Sequence, residues 1–194
     1  MADPLTPTRR RTAANFEAEA RQNIAQAVAN DLAPSPLTPK DCDVSSYPGF
    51  IVQASRLQNS EFWMLSSNRM KVAAIELWMF AWRQVPAASL PDNPKLLSSV
   101  TGIPANQIRE MLRCGAFHLT AFHGFVRCSD GRLYHPVLAG DALRAWQTSQ
   151  AREKAANERH QRTMISQAIG SSYRSAPRLP TERRGSRRYE EDDY

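Results

Sequence analysis

The segment Arg69 to Val85 (RMKVAAIELWMFAWRQV) constrains this chain more than any other. Wound as a helix, it spreads Met70, Val72, Ile75, Leu77, Trp78, Met79, Phe80 and Trp82 over nearly the whole circumference, a pattern expected of a helix buried on most sides. A surface helix needs only one apolar stripe, whereas this one needs neighbours almost all round. Its aromatic cluster therefore reads as core packing rather than as a ligand or base-stacking platform.

The flanking sequence supplies candidate neighbours. Ser55 to Leu65 reads as a short helix carrying Leu57, Phe62, Trp63 and Leu65, and any of Ser66, Ser67 and Asn68 can cap the central helix by accepting from its unpaired first amides. After a turn from Pro86 to Pro91, Asp92 or Asn93 can cap a short helix that starts at Pro94, whose missing amide hydrogen costs nothing in a first turn. Leu96, Leu97 and Val100 form its buried face, and Gly102 is suited to a left-handed stop. Ile103-Pro104 opens another helix with Ile108, Met111 and Leu112 at i, i+3, i+4 spacing and Gly115 behind it. Two short helices joined by a tight turn make a helix-turn-helix.

Gly124 to Cys128 (GFVRC) and Arg132 to His135 (RLYH) flank Ser129-Asp130-Gly131. An Asp-Gly step between β-favouring runs predicts a hairpin, and a hairpin directly after a helix-turn-helix is a wing. Beyond Val137 a long polar helix is anchored by Leu138, Leu143 and Trp146 and grows more charged past Ser149, so its distal half is expected to project into solvent. The expected fold class is mainly α with a small β-hairpin: winged-helix-like, with a long C-terminal helix and flexible termini.

The ends differ in composition from this centre. Ala13 to Leu32 reads as a moderately amphipathic helix with Phe16, Ala20, Ile24, Ala27 and Leu32 near one face; it can dock on the core, pair with another copy or stand free. Pro34, Pro36 and Pro39 end it. The expected organisation is an N-terminal extension over 1–46, a folded domain over 47–150 and, over 151–194, a projecting helix with a weakly ordered tail. Charge is uneven, because residues 144 to 188 hold 11 basic and 3 acidic side chains before Glu190, Glu191, Asp192 and Asp193 reverse the sign. A basic segment of this kind attracts polyanions, nucleic acid first.

Cys42, Cys114 and Cys128 are an odd number without a dense framework, and no charged-then-apolar leader opens the chain, so a reducing, cytoplasmic setting is expected. The longest apolar stretch, Val72 to Trp82, is interrupted by Glu76 and falls far short of the roughly 20 residues that cross a bilayer. No membrane partner is expected. Catalytic patterns are missing too: there is no phosphate-cradling glycine loop, no serine in a strand-turn-helix elbow, and no helix pairing His with a metal-bridging acid. Asp92, Asp130 and Asp141 have simpler roles as cap, turn residue and helix-start residue. Cys114, His118, His123, Cys128 and His135 carry the ligand types zinc prefers, but C-x3-H-x4-H-x4-C is not a standard finger spacing. Neither metal nor cofactor is expected, and His135 before Pro136 reads as a strand-end packing residue.

Nucleic-acid recognition has more support. The second helix of the pair would present Asn106, Gln107, Arg109 and Arg113 to a major groove, since Arg, Asn and Gln hydrogen-bond base edges in two-point geometry. Glu110 lies among them, and such a mixture is also what a solvated helix face looks like. Arg127 and Arg132 on the wing would reach phosphates or the minor groove. In the tail, Arg174, Arg178, Arg183, Arg184, Arg187 and Arg188 lie on a Pro/Ser/Gly-rich chain that can follow a phosphate backbone. Tyr173 and Tyr189 can stack on unpaired bases.

The bulky helix ending in Trp82-Arg83, the Leu90-Pro91-Asp92 step, the Leu96-Leu97 helix with Gly102, and Gly131-Arg132-Leu133-Tyr134-His135-Pro136 entering a helix with Trp146 together resemble the YdaU-like domain of unknown function carried by phages and prophages. The resemblance covers roughly residues 60 to 150. Because that family is similar to the winged-helix N-terminal parts of phage replisome organisers, it implies binding of origin DNA or recruitment of a replicative helicase or its loader. Three non-enzymatic roles follow as expectations: a DNA-binding module in phage or prophage replication, acting on duplex and also on single-stranded DNA; a protein-interaction adaptor; and a dimeric transcriptional repressor, for which a second copy is the partner.

Overall fold

A computed structural model describes residues 12–115 and 117–174, with side chains given as far as residue 167. The order is α1 (Ala13–Ala29), α2 (Ala54–Gln58), α3 (Glu61–Leu65), α4 (Asn68–Trp82), β1 (Ser89–Leu90), α5 (Pro94–Thr101), α6 (Ala105–Cys114), β2 (Val126–Arg127), β3 (Leu133–Tyr134) and α7 (Pro136–Arg174). The protein is mainly helical with a small antiparallel sheet in the order β1-β3-β2. The chain divides into two compact units, the first ending at Ala151 and the second beginning at Arg152. In the second, residues 152–167 of α7 are exposed at every position.

The first unit is built round α4. Ser67 caps it by accepting from the Met70 amide, and Ala73, Ala74, Leu77, Trp78, Ala81 and Trp82 are buried. Alanines at i, i+1 and i+8 let neighbouring backbones come close, while Trp78 and Trp82 fill the wider space beside them. The expected burial on most sides is interrupted by a stripe: Val72 is 56% and Met79 51% exposed. Seven residues apart, these two share one face of the helix. The stretch expected to be one helix over 55–65 is two, because Ser60 ends α2 by donating to the Leu57 carbonyl at 2.6 Å and caps α3 by accepting from the Trp63 amide at 3.2 Å.

Strand β1 lies in what reads from sequence as a turn. Its two residues pair with β3, Ser89 with Tyr134 and Leu90 with Leu133, and the hairpin expected around Asp130-Gly131 supplies the second pairing, Val126 with Tyr134 and Arg127 with Leu133. Asp130 organises that turn: its carboxylate accepts from the Arg132 amide at 3.1 Å and from the Tyr134 hydroxyl at 2.8 Å. Burial and that carboxylate together push the Tyr134 phenol well above its ordinary range.

The segment after α1, placed by composition in an extension, belongs to the same core. Cys42 and Val44 are fully buried. The Ala87 amide donates to the Cys42 carbonyl at 2.8 Å, the Thr38 hydroxyl to the Ala87 carbonyl at 2.8 Å, and the Ser129 amide to the Pro34 carbonyl at 2.9 Å. The two bonds to Ala87 hold the chain just before Ala88, whose own amide donates to the Ala81 carbonyl and whose carbonyl accepts from the His135 amide. Ala88 takes a left-handed φ of 62°, a conformation that needs such support in a residue with a Cβ.

Helix α1 stops at Ala29, three residues before the expected end, and Leu32 is exposed. Of the three fates open to it, the helix docks: Phe16 and Ala20 are buried. Glu17 accepts two hydrogen bonds from Arg56 of α2, at 2.8 and 2.6 Å, and one from Arg21 at 2.9 Å. Those guanidinium groups hold its carboxyl down at about 2. Helix α7 meets α1 at Gly140, where a Cβ would stand 2.6 Å from the Ala13 carbonyl oxygen. Gly140→Ala therefore has to move backbone, and it is expected to loosen α1 selectively, seen as faster amide exchange over 16–24 than over α4.

His135 joins β3 to α7 as a packing residue, as expected, with its ring edge-on to Trp78 and Phe125 at centroid distances of 5.8 and 5.2 Å. Desolvation lowers its pKa from the ordinary 6.5 to about 3. A histidine held neutral in the fold takes up its proton more readily in the unfolded chain, so its contribution is complete above pH 6.5 and is lost as pH falls towards 3. Between about pH 7 and about pH 4.5 this group alone is expected to remove about 2–3 kcal/mol. Urea midpoints at the two pH values should fall less steeply in His135→Phe than in the parent; equal slopes would show that His135 does not titrate this way.

Candidate nucleic-acid interface

Helices α5 and α6 are set at a fixed angle by caps and one turn. Asn93 accepts from the Lys95 and Leu96 amides, both at 3.2 Å, so of the two candidate caps Asn93 serves and Asp92 is left for another use. Gly102 ends α5 at a φ of 64°. Thr101 donates to the Leu97 carbonyl at 2.8 Å and accepts from the Ile103 amide at 3.2 Å, while Arg69 at the start of α4 donates to the Gly102 carbonyl at 3.2 Å. The turn is thus tied to both α5 and α4. Gly115 closes α6 at a φ of 63°.

Helix α6 buries Ile108 and Leu112 and turns Asn106, Gln107, Arg109, Glu110 and Arg113 outward. Asn106, Arg109, Glu110 and Arg113 stand at i, i+3, i+4 and i+7, which places them in one row along the helix. Within that row the charges are not equivalent. Arg113 grips Glu110 with two hydrogen bonds, at 2.6 and 3.1 Å, and the Cys114 thiol donates to the same carboxylate at 3.1 Å. Arg113 first, then the thiol, hold the Glu110 carboxyl at about 2. Arg109 has no ion pair among the described residues.

The hairpin arginines are engaged with the fold. Arg127 pairs with Asp92 and donates to the Leu112 carbonyl at 3.2 Å, so it braces the last turn of α6. Arg132 donates through Nε to the Ser89 hydroxyl at 2.9 Å, and its Nη2 is buried with no hydrogen-bond partner among the described residues. Asn106, Arg109 and Arg113 therefore share one exposed row, Gln107 is exposed beside it, Arg127 braces the end of the same helix, and Arg132 is tied to β1. Arg178, Arg183, Arg184, Arg187, Arg188 and Tyr189 lie outside the described residues.

The brace from Asp92 through Arg127 to Leu112 was not read from the sequence. It joins residues 35 and 15 positions apart, and a cap explained Asp92 without it. The Cys/His group is dispersed in role: Cys128 is buried, Cys114 is exposed on α6, and His123 stacks on Phe62 at 4.9 Å. Among the described residues no three His, Cys, Asp or Glu side chains are grouped to hold a metal ion, and no helix is long and apolar enough to cross a membrane. Asp92, Asp130 and Asp141 are likewise separate, on Arg127, in the hairpin turn and within α7. Compared with known proteins, the chain matches no family model, no curated protein and no solved structure.

Proposed function

We propose that the protein is a non-enzymatic, winged-helix DNA-binding module of phage or prophage origin that acts in replication initiation or its regulation. The observation that carries this reading is the exposed row on α6, presented by a helix-strand-helix-helix-strand-strand sequence whose sheet runs β1-β3-β2. In that reading α5 and α6 are the helix-turn-helix, α6 enters the major groove, and the β2–β3 hairpin is the wing. Asn106, Gln107 and Arg109 meet base edges or phosphates directly. Arg113 contributes once a phosphate competes with Glu110 for its guanidinium. Arg127 acts mainly by holding α6 in place, and the C-terminal arginines add sequence-independent affinity.

A protein-interaction adaptor, with a replicative helicase or its loader as partner, is the second reading. It is favoured by the apolar side chains Met64, Leu65, Val72 and Met79, all more than half exposed. Isolated exposed apolar residues are common on any surface, so they weigh less than a polar row set on a rigid helix.

Titration of the full chain with duplex DNA at two salt concentrations separates the readings. Arg109→Ala is expected to weaken binding by about tenfold, within the 1–3 kcal/mol of a lost base contact, and Glu110→Gln to strengthen it by releasing Arg113. Affinity should fall with salt at a slope of about −0.9 per neutralised phosphate. A full chain that binds duplex with neither salt dependence nor response to these substitutions would move the assignment to a protein partner.

A further inference from the structure

One row on α4 is left outside the core. Val72, Glu76, Met79 and Arg83 stand at i, i+4, i+7 and i+11, and the helical φ and ψ of Arg83, the C-cap, carry the row to the end of the helix. Val72, Met79 and Arg83 are exposed and Glu76 is partly buried. Neither Glu76 nor Arg83 has an ion pair among the described residues. They are too far apart to pair with each other, because two turns of helix separate them by about 10 Å along the axis. The helix whose other faces make the core thus carries an acid, a methionine and a base in line on its outer side.

The order of those groups selects the occupant. Two copies of the row laid parallel would set like charge against like. Turned antiparallel about a twofold axis beside Met79, they set Glu76 of each copy against the partner's Arg83, with the two Met79 side chains together between the ion pairs. Val72 then falls towards the turn that follows the partner's α4, where Val85 is also more than half exposed. Nucleic acid is a poor match for a row that carries an acid and two apolar side chains, and a bilayer surface calls for a wider apolar face edged with basic residues. We propose that this face of α4 is a self-association surface whose partner is a second copy of the chain, joined antiparallel by Glu76–Arg83 pairs on either side of Met79. One helix row is a narrow contact, so the association is expected to be weak.

Sedimentation equilibrium of the full chain, without DNA and at protein concentrations up to about 1 mM, tests this independently of duplex binding. The parent is expected to pass from monomer to dimer. Glu76→Arg and Arg83→Glu should each weaken association by about thirtyfold, because the twofold makes every reversed charge count twice. Mixed in equal amounts, the two variants should recover dimer, since every contact between unlike chains is again acid to base. Met79→Asp brings two carboxylates together at the axis and should also give monomer; it carries the test if either charge variant fails to fold by circular dichroism. A parent that stays monomeric would leave the row to a different protein and overturn the proposal. Dimer that persists in folded Glu76→Arg or Met79→Asp, or a mixture of the two folded charge variants that stays monomeric, would overturn it equally.

Discussion

Everything in the first unit depends on covering α4. Its alanine-rich side accepts close neighbours while its tryptophans need wider space beside them, so no single partner helix can cover it. The chain meets this demand from both directions: α5 and β1 follow α4 in sequence, while residues 37–44 return from the N-terminal side to close the turn beyond Trp82. The bonds from Cys42 and Thr38 to Ala87 are the points where that return is fixed. A segment rich in proline thereby becomes structural, since Leu37, Cys42 and Val44 bury apolar surface while the Cys42 carbonyl and the Thr38 hydroxyl satisfy the amide and carbonyl of Ala87.

What the sequence made legible follows from the range of each signal. Asn93, Pro94, Gly102 and Gly115 are local punctuation, and the helix ends they predict are observed because capping and left-handed backbone need only neighbouring residues. Asp130-Gly131 is of the same kind. Strand β1 is not: Ser89 and Leu90 have no alternation to display, and they are a strand only because Leu133 and Tyr134 lie beside them. The shared burial of residues 37–44 was hidden for the same reason. Composition averaged the few large apolar residues there with the surrounding prolines, whereas packing depends on where those few point.

The candidate interface shows the limit of counting charges. Arg113, Arg127 and Arg132 look alike in sequence, yet Glu110 holds the first, Asp92 and a helix carbonyl the second, and Ser89 the third. Exposed pairs such as Arg113 with Glu110 contribute little to stability. Their larger effect is on the field that an approaching polyanion meets, because a neutralised guanidinium offers no long-range attraction until its partner is displaced. Arg109 keeps its charge for the whole approach, which makes it the first cation of this row that a phosphate would feel.

Strand β2 connects this interface, through the period of a strand, to a mainly apolar cavity that α1 and α2 also line. Successive side chains point to opposite faces, so Val126 lines the cavity while Arg127 reaches Asp92 and the Leu112 carbonyl. Pairing with β3 fixes that assignment, because a slip of one residue would exchange the two faces and send a guanidinium into an apolar wall. The register is secured in turn by Asp130, which holds both the Arg132 amide and the Tyr134 hydroxyl. A turn residue on the surface thus sets which side of a two-residue strand faces inward, and through Arg127 it also sets the position of the last turn of α6.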